Sequence, residues 1–130
     1  MIRSAGLVLA LLSAWLAVPA MAEQPHGDYT TVVKQDNQTD AQTDTTLWTP
    51  ATGNKIVVLS LNLSADAAQD AFFEVTTTTK IQKLYVGAGG NASLTAGGRP
   101  VLVLATDEAL TYTTSSGANT SVIAIGYETK

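Results

Sequence analysis

The chain contains no cysteine, a single histidine and only 7 lysines and arginines among 130 residues. The missing cysteine excludes thiolate catalysis, cysteine-based zinc sites, haem attachment and the disulfides that staple many small exported domains. Stability must then come from packing and backbone pairing. The few cations stand singly, at Lys34, Lys55, Lys80, Lys83, Arg99 and Lys130 in the body of the chain. Binding to a phosphate backbone needs clustered cations that displace counterions, so nucleic acid is not an expected partner. His26 lies in the polar stretch EQPHGD beside Pro25 and Gly27, which reads as a solvated side chain in a lead-in segment and not as a base or metal ligand. No serine sits in a G-x-S-x-G turn, and without a usable histidine a serine nucleophile lacks its base.

What is present begins with MIRSAGLVLALLSAWLAVPAMA. Arg3, the apolar run Gly6 to Val18 and the small residues of Ala20-Met21-Ala22 make the three parts of a secretory signal, with cleavage expected between Ala22 and Glu23. The run is shorter than the roughly 20 residues of a spanning helix, so no membrane insertion is expected after cleavage, and the mature protein is expected to be secreted or periplasmic. Loss of Arg3 leaves six basic against eleven acidic side chains, taking the formal charge from −4 to −5. The expected organisation is a signal peptide over 1–22, a flexible polar arm over 23–44 and one domain over 45–130.

In the arm, KQDNQTDAQTDTT places Asp36, Asp40 and Asp44 at four-residue intervals. A calcium loop of the EF-hand type would need a central glycine and a closing glutamate, both missing, and Thr, Asn and Asp are poor helix formers. A hydrated linker is the expectation. Within it DYTTVVK offers a short strand, with Tyr29, Thr31 and Val33 on one side and Thr30 and Val32 on the other.

From Thr45 the chain alternates apolar and polar residues, is rich in Val, Ile, Thr and Tyr, and is interrupted by Gly, Asn, Asp and Ser. That pattern predicts an all-β protein. TTLWT leads to a turn at Pro50 to Asn54, and the following strand points Val57, Leu59, Leu61 and Leu63 one way and Val58, Ser60 and Asn62 the other. SADAAQDA is expected to be a connecting loop with room for one helical turn. AFFEVTT, KIQKLYV, ASLT, ALTYTT and SVIAIGYE are further strands, and the apolar PVLVLA is expected to be central, with Pro100 at its start. Seven or eight short strands in roughly 85 residues predict an antiparallel β-sandwich, jelly-roll-like or immunoglobulin-like. The expected core is Leu59, Leu61, Phe73, Leu84, Val103, Leu110 and Ile123, each side chain contributing roughly 1.5–3 kcal/mol, with Trp48 covering one end.

The opening LWTPATGNKIVVLSLNLSA, a Gly-rich break and the closing SVIAIGYE resemble the small jelly-roll modules of phage, phage-like and uncharacterised exported bacterial proteins over about Thr45 to Glu128. Trp48, Pro50, Gly53, Gly126, Tyr127 and Glu128 carry the resemblance as scaffold marks. It implies a surface, appendage or decoration protein, often a symmetric oligomer. The predicted secretion signal departs from a virion component.

Little in the sequence points to chemistry. GAGGN, residues 87 to 91, lacks the Lys-Ser/Thr and the helix of a phosphate loop and reads as a turn. Asp107 and Glu108 are neighbours in a turn, where side chains diverge, and read as a solvated tip. The Asn-x-Ser/Thr matches at Asn37, Asn62, Asn91 and Asn119 carry meaning only in a eukaryotic secretory route. TTTTK at 76 to 80 and TYTT at 111 to 114 predict β-branched hydroxyls on exposed strand faces. No catalytic residue, cofactor or metal site is expected. The leading reading is a non-enzymatic exported protein acting in surface binding or assembly, with a homo-oligomer or a glycan or cell-surface partner. Candidate ligand or interface residues are Trp48, Tyr85, Tyr112 and Tyr127. The alternatives are a carbohydrate-binding module that stacks sugars on those rings, and a fibre subunit that donates DYTTVVK to a neighbour's sheet edge.

Overall fold

A computed structural model describes residues 29–75 and 79–130. The expected signal peptide with its cleavage site, His26 and Thr76 to Thr78 lie outside the described residues. The described residues form nine strands and no helix: β1 Val32–Gln38, β2 Thr45–Trp48, β3 Lys55–Ala65, β4 Gln69–Val75, β5 Thr79–Val86, β6 Gly90–Thr95, β7 Leu102–Val103, β8 Leu110–Thr114 and β9 Thr120–Thr129. One sheet runs β1-β9-β3-β6 with β7 also paired to β3, and the other runs β2-β8-β4-β5. Every pairing is antiparallel.

With the two-residue β7 set aside, the chain is one long hairpin wound into two layers. β1 pairs with β9, β2 with β8, β3 with β6 and β4 with β5. That nesting is a jelly roll. In an immunoglobulin-like sandwich the first two strands share a sheet, whereas here β1 and β2 lie in opposite layers, so that alternative is excluded.

The core lies between the layers. Leu61, Phe73, Leu84 and Leu110 are buried as their alternation predicts, joined by Trp48, Ile56, Val58, Leu63, Tyr112 and Val122. Three expected core residues are not there. Leu59 is the extra residue of a β-bulge, where pairing steps from Val58↔Gly126 to Ser60↔Ile125. A bulge adds one residue to one strand and reverses which side chains face inward beyond it. Val58 therefore faces the core before the bulge and Leu61 after it, while Leu59 is half-buried. Ile123 lies on the outer side of β9, between the inward Val122 and Ala124. Val103 is 59% exposed, because PVLVLA forms only a short ribbon along the start of β3, held by Val101 N to Val58 O and Leu104 N to Ile56 O.

Two other expectations change. Part of the segment expected as a flexible arm over 23–44 is sheet, since Val32 to Gln38 pair residue by residue with Gly126 to Thr120. DYTTVVK supplies the first residues of that strand, and its continuation KQDNQ, read as linker, supplies the rest. Poor intrinsic propensity is overridden by a long partner edge on β9. SADAAQDA contains no helical turn, because Ser64 and Ala65 end β3 and Gln69 begins β4.

Candidate functional site

Trp48 and Glu128 build the best-defined polar knot. Pro50 is buried and turns the chain after β2. The Trp48 indole N–H donates to Glu128 Oε1 at 2.9 Å, and Glu128 Oε2 accepts from Ala51 N at 2.8 Å and Asn54 Nδ2 at 3.1 Å. One carboxylate thereby joins the end of β9 to the β2–β3 turn. Lys34 on β1 lies 6.0 Å above the Trp48 ring. The Ala51 amide and then the indole N–H hold the Glu128 carboxyl below its ordinary 4.5.

A second knot fills the open side of the sandwich between β1 and β8. The Tyr112 hydroxyl donates to Asp36 Oδ2 at 2.6 Å, and Gln38 Nε2 donates to both Asp36 oxygens at 2.8 and 2.9 Å. The tyrosine hydroxyl is the main cause that lowers Asp36 below its ordinary 3.8, while burial, reinforced by Asp36, raises Tyr112 well above its ordinary 10.0. Depressed carboxyls add stability that is full above the ordinary carboxylate range and is lost as pH falls through their folded values; a raised phenol adds stability that is lost as pH rises past its ordinary value. Thermal unfolding followed by circular dichroism should therefore show a plateau from about pH 5 to about pH 9, with Tm falling on both sides. Asp36→Asn should flatten the acid limb, and an unchanged limb would remove Asp36 from it.

The four aromatic candidates are not brought together. Trp48 and Tyr112 are 1% and 0% exposed, so neither offers a ring face to a ligand. Their hydroxyl and N–H are spent on Asp36 and Glu128, and their rings fill the interior of a small core. Tyr127 is half-buried and stacks on Tyr29 with centroids 4.4 Å apart. Tyr85 is 65% exposed on the outer side of the four-stranded sheet, opposite Asp70, whose Oδ2 pairs with Lys83 at 2.7 Å. The threonines of TYTT are not a wet face either, since Thr111 and Thr114 are buried. Asp107 and Glu108 are both taken up by loop backbone: Asp107 Oδ1 accepts from Gly53 N of the β2–β3 turn at 2.6 Å, and Glu108 Oε2 accepts from Ala105 N of its own loop at 2.8 Å. Among the described residues no group of three or more His, Cys, Asp or Glu is placed to hold a metal ion.

The outer face of the five-stranded sheet is a different kind of surface. Register places Asn37, Ser121, Ser64 and Asn91 in one row across β1, β9, β3 and β6. The next row is Gln35, Ile123, Asn62 and Ser93, and the third is Val33, Ile125, Ser60 and Thr95. None of these side chains is charged. Gln35 Nε2 donates to Ser121 Oγ at 3.2 Å and Asn62 Nδ2 to Ser60 Oγ at 3.1 Å, so part of the face is already ordered. The first row opens onto a shallow cleft of about 420 Å³ at the sheet's end, bounded by Asn37 and Thr39 on one side and Gly89 and Gly90 on the other. Asp66 holds its rim, accepting from Asn119 N at 2.9 Å and from the Asn119 side-chain amide, while its carbonyl takes Gly89 N at 3.1 Å. A second hollow of about 460 Å³ shares Ser64 and Ser121 with it and continues over Asn62, Ser93 and Ile123.

Sequence reasoning missed this face. Its signal is the period-two run Ser60, Asn62, Ser64, which alternates with the core residues of β3 and is repeated across the sheet by Asn91, Ser93 and Thr95. No family model matches the chain, and no curated protein matches it.

Proposed function

We propose that this is an exported, non-enzymatic binding or assembly protein that works through the outer face of its five-stranded sheet. The observation that carries the reading is the set of three cross-strand rows, uncharged throughout, on a chain of net charge −4. Short amides and hydroxyls on paired strands lose little side-chain entropy when covered. Ile123, Ile125 and Val33 add apolar area between them, as contact surfaces commonly combine the two. The carboxylates Asp107 and Glu108 are committed to loop backbone, which supports a binding role over acid–base work. A surface, appendage or decoration role of the kind found among phage-like jelly-roll modules is one form of this reading, supported by the strand order. Strand donation by DYTTVVK is the weaker form, because Val32 to Lys34 are already paired with Gly126 to Ala124 of the same chain.

Size-exclusion chromatography with light scattering, run over a wide concentration range beside retention on immobilised polysaccharides, tests the proposal. Either a defined oligomer or retention is expected, and Asn62→Lys, which plants a charge in the middle row, should abolish it. A strict monomer retained on no polysaccharide, or an interaction indifferent to Asn62→Lys, contradicts it.

A further inference from the structure

We infer that the joined hollows on this face are a binding site for a neutral oligosaccharide, an inference that rests on the contact-surface reading above and names its ligand class. The chemistry of the lining selects it. The Ser64, Asn91 and Ser93 side chains are exposed and have no hydrogen-bond partner among the described residues, so donors and acceptors face solvent unspent. Register sets Ser64 opposite Asn91 and Asn62 opposite Ser93, roughly 5 Å apart across strands and roughly 7 Å apart along them. A pyranose ring spans a comparable distance and offers hydroxyls that both donate and accept. Ile123, between Gln35 and Asn62 in the middle row, lines the second hollow and suits the C–H face of a sugar.

Charge excludes the main competitors. Among the described residues no lysine or arginine lines either hollow, so a phosphate, sulfate or uronate would be desolvated without a counter-charge. Asp66, at the rim, would repel an anion further, whereas a neutral hydroxyl can use its remaining lone pairs. No aromatic ring among the described residues lines the hollows either, so these residues supply none of the stacking that strengthens many sugar sites. Affinity for a single chain is therefore expected in the millimolar range, a free energy of about −4 kcal/mol, and useful retention would come from repeated contacts along a polymer.

Amide NMR titration of the processed protein tests the site, with neutral gluco- and galactomanno-hexasaccharides as ligands and oligogalacturonate as the anionic control. At least one neutral hexasaccharide should shift residues 62–65, 90–93 and 119–121 selectively, with a millimolar Kd, and the anion should not. Asn91→Ala and Ser93→Ala, both on an exposed edge strand, should weaken the titration severalfold while leaving the rest of the spectrum and Tm in place. Silence with every neutral sugar, shifts centred on Tyr85, or equal shifts with the anion would each overturn the inference. If the sugars are silent while light scattering reports an oligomer that Asn62→Lys breaks, the ligand class falls and the contact surface stands. A monomer indifferent to all ligands removes both.

Discussion

Gly126→Ala should destabilise the protein by about 3 kcal/mol or more, lowering Tm by roughly 10–20 °C for a domain of this size. Gly126 sits on β9 opposite Val58, where β3 makes its bulge. A methyl group there would run into the Val57 carbonyl oxygen and lie 3.0 Å from both Val57 C and Val58 Cα. All three are backbone atoms in the middle of a sheet, so relief requires parting two central strands, unlike the usual overpacking of flexible side chains. Gly87→Ala is the control, since nothing stands within 4 Å of the position a Cβ would take, and its effect should stay within about 0.5 kcal/mol. Thermal or urea unfolding of the two variants decides the matter; equal stability would mean that the bulge does not bring the strands together as described.

Gln69→Leu should cost about 2–3 kcal/mol, although it replaces a polar side chain in the interior by an apolar one of similar size. Gln69 is 1% exposed and acts as a clamp for the β8–β9 loop. Its Oε1 accepts from Ser115 N and Ser116 N at 3.1 and 2.9 Å, and its Nε2 donates to Ser116 O and Thr120 Oγ1 at 2.9 Å each. Ser115 N retains the Asp70 carbonyl at 3.1 Å, and the Thr120 hydroxyl retains Ala118 O at 2.9 Å. Ser116 loses both partners of its peptide groups. The loss should appear in urea unfolding and as faster amide exchange over residues 115–119. Because Asn119 and Thr120 line the cleft, the variant should also weaken ligand titration there. Full stability with an unchanged loop would show that the clamp carries no weight.

The layered all-β architecture was legible because hydrophobic alternation survives in most strands, and Leu61, Phe73, Leu84 and Leu110 sit where it puts them. The residues that carry the jelly-roll resemblance also acquire physical roles. Glu128 ties Trp48 to the turn after Pro50, and Gly53 N binds Asp107 Oδ1 at a positive φ of 82°. What was not legible is non-local. A bulge at Leu59 shifts phase without altering composition, and only the partner strand reveals it. β1 reads as a polar linker because its inward side chains Lys34, Asp36 and Gln38 close the side of the sandwich with hydrogen bonds and a cation over a ring, not with apolar area. PVLVLA is apolar enough for a central strand, yet β9 and β6 already pair with most of β3 and leave it a two-residue ribbon. The candidate face was illegible for a related reason, since each strand contributes only two or three outward polar residues and their rows exist only across the sheet.

All the functional readings depend on β1 being an integral strand, because it supplies Val33, Gln35 and Asn37 to the three rows and one wall of the cleft. Hydrogen exchange of the whole processed protein, resolved to peptides by mass spectrometry, tests this most directly. Peptides over Val32 to Gln38 should keep the amides that pair with β9 protected for at least minutes, in step with Thr120 to Gly126. Complete exchange of 32–38 at the earliest time point, with β9 and β3 still protected, would contradict the account and return that segment to a free arm.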